Sequence, residues 1–165
     1  MSHVVGTVTQ PCELSTMDEL IRKSWPSIWM NIAKEIAEGR SYDVRLKVGC
    51  VIVPEDNTGI LSIGYNGNAK GLPNEAESLE PGQSGFLHAE LNSLIKCDFN
   101  NPKKKIMYVT HFPCPACSKA IINANIHRVV YDSIYRDMEG KKYFDAVGIQ
   151  VRTLQEALVE AESRM

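Results

Sequence analysis

Four residues carry the chemistry that is easiest to name: His88, Glu90, Cys114 and Cys117. One imidazole and two thiols, the thiols separated by two residues, are the ligand types that suit a zinc ion. Three protein ligands leave the fourth tetrahedral position open for water, the arrangement of a catalytic rather than a structural site. Glu90 stands two positions after His88, near enough to reach that water without being a ligand itself. A structural site normally takes a fourth Cys or His, and His111 is the nearest candidate in the chain.

The order His-x-Glu followed by Pro-Cys-x-x-Cys is the signature of zinc nucleobase deaminases. HAELNSLI (88–95), YVTHFPCPACSKAIINANIHRVVY (108–131) and GYNG (64–67) extend the likeness. With them the chain from about Trp25 to Thr153 resembles the deoxycytidylate (dCMP) deaminases of the cytidine deaminase superfamily. The resemblance implies hydrolysis of dCMP to dUMP and ammonia, supplying dUMP for thymidylate synthesis. Zn2+ would acidify a water and Glu90 would shuttle its protons. The resemblance also implies that Asn66 contacts the sugar hydroxyl or the base, against the alternative of a turn asparagine. Ala89 would offer its backbone amide to the pyrimidine carbonyl oxygen, or else be a small packing residue.

For the phosphate, Arg136, Arg45, Lys47 and Lys70 are candidates by loop position. Tyr131 and Tyr135 are candidate pocket walls, with core packing as the alternative, and Phe112 is wall or core. By resemblance, too, a homo-oligomer, possibly a hexamer, is expected. Its regulation by dCTP and dTTP with Mg2+ would take place near Gly64, Tyr65 and Gly67. Residues 67–87 contain neither Cys nor His, so a second zinc site from that loop is not expected.

Those residues need a scaffold. Ile28, Trp29, Ile32, Ala33, Ile36 and Ala37 recur at helical spacing over Ser27–Glu38, with Pro26 in the first turn and Gly39 as the stop. The β-branched runs 47–54 and 60–66, around the polar turn 55–59, read as a hairpin. A long loop over 67–86 follows, then a helix over 87–98 with Leu87, Leu91, Leu94 and Ile95 as its packing stripe. Strand 106–111 precedes a helix from Cys114 to about Asn125, whose N-terminal dipole favours thiolate. Strand 128–131, a short helix within 135–148, strand 149–153 and a terminal helix over 155–164 complete the pattern. Strands alternating with helices define an α/β class, a single-domain three-layer α/β/α sandwich with a central mixed five-stranded sheet. Residues 1–15 read as an N-terminal arm, with a capping box beginning at Thr16, and residues 16–165 as one deaminase domain.

Composition narrows the field. A chain of 165 residues suits one core, and a net charge of −2 offers no field for a polyanion. Lack of a basic balance argues against a tRNA adenosine deaminase and against nucleic-acid partners generally. No run approaches the ~20 apolar residues of a membrane span, and the first residues lack a secretory pattern. After Cys114 and Cys117, an odd, scattered remainder of Cys12, Cys50 and Cys97 reads as reduced thiols in a cytoplasmic setting. Three alternatives stay open: a bifunctional dCMP/dCTP deaminase, a free-nucleoside deaminase, and a non-catalytic zinc-binding regulator. Retention of Glu90 argues against the last.

Overall fold

The computed structural model describes residues 22–164. The expected arm and the capping box at Thr16 lie outside the described residues. Five strands form one sheet in the order β2 (Ser62–Tyr65), β1 (Gly49–Pro54), β3 (Lys105–His111), β4 (Arg128–Ser133) and β5 (Gln150–Thr153). β1 pairs antiparallel with both β2 and β3, whereas β3, β4 and β5 run parallel. The parallel pairs are joined through helices, as such crossovers require: α3 (Pro115–Asn123) between β3 and β4, and α4 (Lys141–Val147) between β4 and β5. α1 (Trp25–Arg40) and α5 (Leu154–Glu162) pack together on one face of the sheet. The other face carries α2 (Ala89–Lys96), α3 and α4.

Alternation along the central strand explains the two layers. Val51 and Val53 enter the α1/α5 core with Ile106, Tyr108 and Val130, while Cys50 and Ile52 enter the opposite core with Met107, Val109 and Val129. Every residue of β1 is buried, so the strand reads as a continuous apolar run. Cys50 and Cys97 are both buried free thiols.

Two glycines set how closely the helices approach. A Cβ at Gly49 would overlap the carbonyl of Ala33 on α1, and one at Gly64 would overlap the carbonyl of Ala89 on α2. Gly64 therefore brings α2 against β2 through backbone contact, where a side chain has no room to yield. Gly64→Ala is expected to destabilise the fold by roughly 1–3 kcal/mol, the usual penalty of overpacking. A urea-unfolding midpoint indistinguishable from that of the unsubstituted chain would contradict this packing account.

Local expectations needed adjustment at several points. α1 begins at Trp25 and runs through Gly39 to Arg40, so Gly39 does not stop it; the chain leaves in extended conformation at Ser41. α2 starts only at Ala89, with His88 as its N-cap, and Leu87 instead forms a bridge with Gly67. Its buried positions are Ala89, Glu90, Ser93 and Leu94, whereas Ile95 is exposed. α5 begins on a capping box in which the Thr153 hydroxyl accepts from the Glu156 N–H at 3.1 Å and the Glu156 carboxylate accepts from the Thr153 N–H at 2.7 Å. The Thr-x-x-Glu spacing was present in the sequence at that point.

Candidate active site

β3 ends at His111, and the chain turns through Phe112-Pro113 into α3. Cys114 is the N-cap of α3 and Cys117 lies in its first turn, with Pro115 in the position where a missing N–H is harmless. His88 occupies the equivalent N-cap position of α2, but its side chain makes no cap hydrogen bond. The imidazole turns to the cysteines instead, with Nδ1 at 3.5 Å from Cys114 Sγ and 3.4 Å from Cys117 Sγ. All three ligand atoms lie within 4.8 Å of one another.

These separations fit a zinc ion. A tetrahedral centre with Zn–N of about 2.0–2.1 Å and Zn–S of about 2.3 Å holds its nitrogen and sulfur about 3.5 Å apart. The donor set, one imidazole and two thiolates, is also one of the three-ligand sets of catalytic zinc sites. His111 lies outside this group, leaving three ligands and no fourth among the described residues. Without metal the two thiols share a proton unequally. Cys114 is lowered to about 4, chiefly because its sulfur accepts from the Cys117 thiol and then, against burial, from His88. Cys117 moves the opposite way, raised by that same hydrogen bond and by burial. One ready thiolate and one thiol that still holds its proton is the arrangement these contacts favour.

Glu90 projects from the first turn of α2 and is 4% exposed. Burial is the main cause that lifts its carboxyl above the usual range; its own backbone N–H and the neighbouring His88 pull the other way. A carboxyl so placed holds a proton more readily than a surface glutamate. The N–H groups of α2's first turn, Ala89 among them, have no intrahelical acceptor. Ala89 lines the same cavity and is fully buried.

The cavity holds about 290 Å³ and is lined at its base by His88, Glu90 and Cys114. Its walls come from the loop 41–48, the end of the loop 67–86, and the loop after β4. Asn66 reaches it, but its amide is largely occupied. Oδ1 accepts from the Ser41 hydroxyl at 2.5 Å and from the Val48 N–H at 2.8 Å, and Nδ2 donates to the Leu46 carbonyl at 2.7 Å. One amide hydrogen is left without a partner among the described residues. Asn66 is thus a clasp for the loop 41–48.

Of the four phosphate candidates, Arg136 and Arg45 line the cavity, whereas Lys47 and Lys70 do not. Lys47 pairs with Glu38 at 3.0 Å. Arg45 is tied to the Leu79 carbonyl and to Asp43, while Arg136 has no acidic partner among the described residues and lies over the Tyr135 ring. Tyr135 also lines the cavity, as does Phe112.

Tyr131 does not line the cavity. It is buried in the core, packed edge-on against Phe112 with its hydroxyl directed to Met138, because its position on β4 faces the helices. Gly64 serves packing, Gly67 bridges to Leu87, and the Tyr65 ring lies between Arg40 and Lys96. Sequence reasoning did not single out Asp43, Leu46, Val48 or Phe86, which complete the walls. Val48 read only as part of a strand, and the others lie in stretches with no periodicity to mark them.

The architecture, sheet order and placement of the ligand-bearing helices make this a cytidine deaminase-like fold. Residues 23–133 match the family model for the cytidine and deoxycytidylate deaminase zinc-binding region. The chain belongs to this family of hydrolytic deaminases. It is 34% identical to the deoxycytidylate deaminase of Saccharomyces cerevisiae over 148 residues, covering 82% of the chain but only 46% of that longer protein. The human deoxycytidylate deaminase is 33% identical over 141 residues, 78% of each chain. Among solved structures, the dCMP deaminase of cyanophage S-TIM5 in complex with dCMP and dUMP is 32% identical with a TM-score of 0.66, covering 77% of this chain and 94% of that one.

Proposed function

We propose that this chain deaminates dCMP to dUMP, with His88, Cys114 and Cys117 as zinc ligands and Glu90 as proton carrier. The observation that carries the reading is the buried Glu90 beside three convergent zinc-type ligands, two of which line the cavity, with an Arg136 on its wall that has no acidic partner among the described residues. Zinc in that place supplies the acidification of a water molecule toward neutral pH. In this reading Glu90 would accept a proton from the attacking water and deliver it to the ring nitrogen, then take the remaining hydroxyl proton and hand it to the departing amine. The water oxygen bonds to the carbon carrying the amine, the C–N bond breaks, and cytosine plus water becomes uracil plus ammonia. Ala89's free N–H is suited to the pyrimidine carbonyl oxygen, and Asn66's remaining amide hydrogen to the sugar or base.

Arg136 serves the phosphate in this reading, with Arg45 behind it. Arg136→Ala is expected to raise KM for dCMP about 10–100-fold, the worth of a charge-assisted hydrogen bond, while leaving deoxycytidine turnover unchanged. Equal loss on both substrates would remove Arg136 from phosphate binding. The reading as a whole is tested by incubating zinc-loaded protein with dCMP, dCTP, deoxycytidine and CMP and quantifying the uracil products. Preferential turnover of dCMP supports it; comparable turnover of dCTP widens the phosphate site to the bifunctional case. No turnover of any of the four removes it.

The same reading extends to supply of dUMP for thymidylate synthesis in the cytoplasm by a homo-oligomer, taken as a hexamer, with residues 16–165 as the deaminase domain. No helix among the described residues is long and apolar enough to cross a membrane. Regulation by dCTP and dTTP with Mg2+ is assigned to the surface at Tyr65, with Gly64 and Gly67 buried on either side of it. An aromatic ring flanked by Arg40 and Lys96 suits a polyphosphate nucleotide there. Rate measurements at fixed dCMP with added Mg-dCTP or Mg-dTTP, and sedimentation of the zinc-loaded protein, test both points.

A further inference from the structure

Resting on that reading and deepening it, we propose that His111 determines substrate specificity by donating its Nε2–H to an oxygen of the nucleotide's sugar–phosphate portion. His111 is the last residue of β3, lines the cavity, and stands apart from the metal-ligand group. Its Nδ1 lies 3.0 Å from the Thr110 hydroxyl. Thr110 is buried, and its oxygen already accepts from the Gly49 N–H at 3.2 Å. Among the described residues, the one acceptor within reach of the Thr110 hydroxyl hydrogen is His111 Nδ1. Reversing that bond would leave a buried hydroxyl hydrogen unpaired, which is unfavourable. Nδ1 therefore accepts, and the ring proton sits on Nε2.

Burial also lowers the His111 pKa, against a smaller opposing effect of Asp132, so the ring is neutral near pH 7. Nε2–H makes no hydrogen bond to the described residues, which leaves a donor of fixed tautomer on the cavity wall. Position says what it reads. His111 precedes the metal ligand Cys114 by three residues, and its β4 partner Ser133 precedes Arg136 by three. His111 thus shares its strand end with the turn leading to Cys114 and, through Ser133, with the loop leading to Arg136, which in this reading puts the sugar–phosphate side of the substrate within its reach.

The test compares His111→Leu, His111→Gln and Thr110→Val in the zinc-loaded protein, with zinc content measured alongside kinetics on dCMP, deoxycytidine and 2′,3′-dideoxycytidine monophosphate. Leucine is expected to raise KM for dCMP about tenfold with kcat and zinc content little changed. Glutamine, which places an N–H near the Nε2 position, recovers most of that loss. Valine at 110 releases the tautomer and raises KM by less. A phosphate acceptor spares deoxycytidine and penalises the dideoxynucleotide; a 3′-oxygen acceptor does the reverse. Unchanged KM in His111→Leu, a glutamine variant no better than leucine, or loss of zinc with the substitution overturns the proposal. Should the unsubstituted protein not turn over dCMP, the functional reading fails on its own account. The His111 proposal is then decided by 15N NMR, where dCMP either shifts the Nε2–H resonance or leaves it unmoved and defeats the idea.

Discussion

Glu90→Gln is expected to retain zinc at full stoichiometry while kcat for dCMP falls about 10²–10⁴-fold, the range that one positioned acid–base group supplies. Glutamine has nearly the same shape, so packing at the buried first turn of α2 is kept, but it can neither take a proton from water nor return one to the leaving amine. The same substitution has a second, opposite consequence for the metal-free protein. Burial raises the carboxyl's folded-state pKa above its ordinary 4.5. A group raised in this way favours the folded state below the unfolded value and loses that contribution as pH rises through the folded value. Above it, the folded chain must carry a buried carboxylate, a burden glutamine lacks. Metal-free Glu90→Gln should therefore melt higher than the unsubstituted protein near pH 8, with the gap closing as the pH falls toward 4.5. Paired thermal melts across pH check it; a constant gap would mean that the charge is not the cause. Unchanged turnover in the variant would end the proton-carrier assignment.

Cys117→Ala is expected to lose zinc and, with it, measurable deamination. Cys117 is fully buried and 3.4 Å from His88 Nδ1, and its removal leaves two ligands with no other candidate grouped with them among the described residues. A zinc ion held by His88, Cys114 and Cys117 would also tie the start of α2 to the start of α3. At free zinc 1,000-fold above its dissociation constant, binding contributes about 4 kcal/mol to stability. A chelator should then lower the melting temperature of the unsubstituted protein and leave that of Cys117→Ala where it stands. Because Cys117 holds its proton without metal, zinc uptake must release it, so affinity should fall as the solution is acidified. Metal content by atomic absorption after dialysis at pH 6 and pH 8 reads this directly. A variant that keeps one zinc per chain would mean that Cys117 is not a ligand.

The convergence of His88, Cys114 and Cys117 was readable in the sequence because zinc accepts few residue types, and these three come at separations that two helix starts can bring together. Helix phase was harder. The buried face of α2 includes Glu90 and Ser93, polar residues that an apolar stripe omits, so the reading slid toward Leu87 and Ile95. Burial of Ser93 is explained by Gly64 opposite it and by the Ser62 hydroxyl, which donates to the Ser93 carbonyl at 2.6 Å; neither is visible in local spacing. Tyr131 was misplaced for a related reason, since a strand's alternation gives two faces without saying which one borders the cavity. The walls from 41–48 and 81–86 depend on contacts between distant segments, such as Arg45 with the Leu79 carbonyl. Motif spacing carries no record of those.

The clasp at Asn66 has a consequence for how such a pocket can change. Its amide grips the backbone of Leu46 and Val48, and only one partner, the Ser41 hydroxyl, is a side chain. At Leu46 and Val48 the segment is therefore held by groups that every amino acid shares, while upstream the Asp43 carboxylate adds its own turn, accepting from the Arg45 and Leu46 N–H groups at 2.9 and 3.3 Å. Asp43, Arg45 and Leu46 of this segment face the cavity, and Asn66 grips Leu46 through its carbonyl, so the Leu46 side chain can be exchanged without loosening the clasp. Substrate preference in this protein can drift, or be engineered, at the rim while the reacting centre below stays as it is.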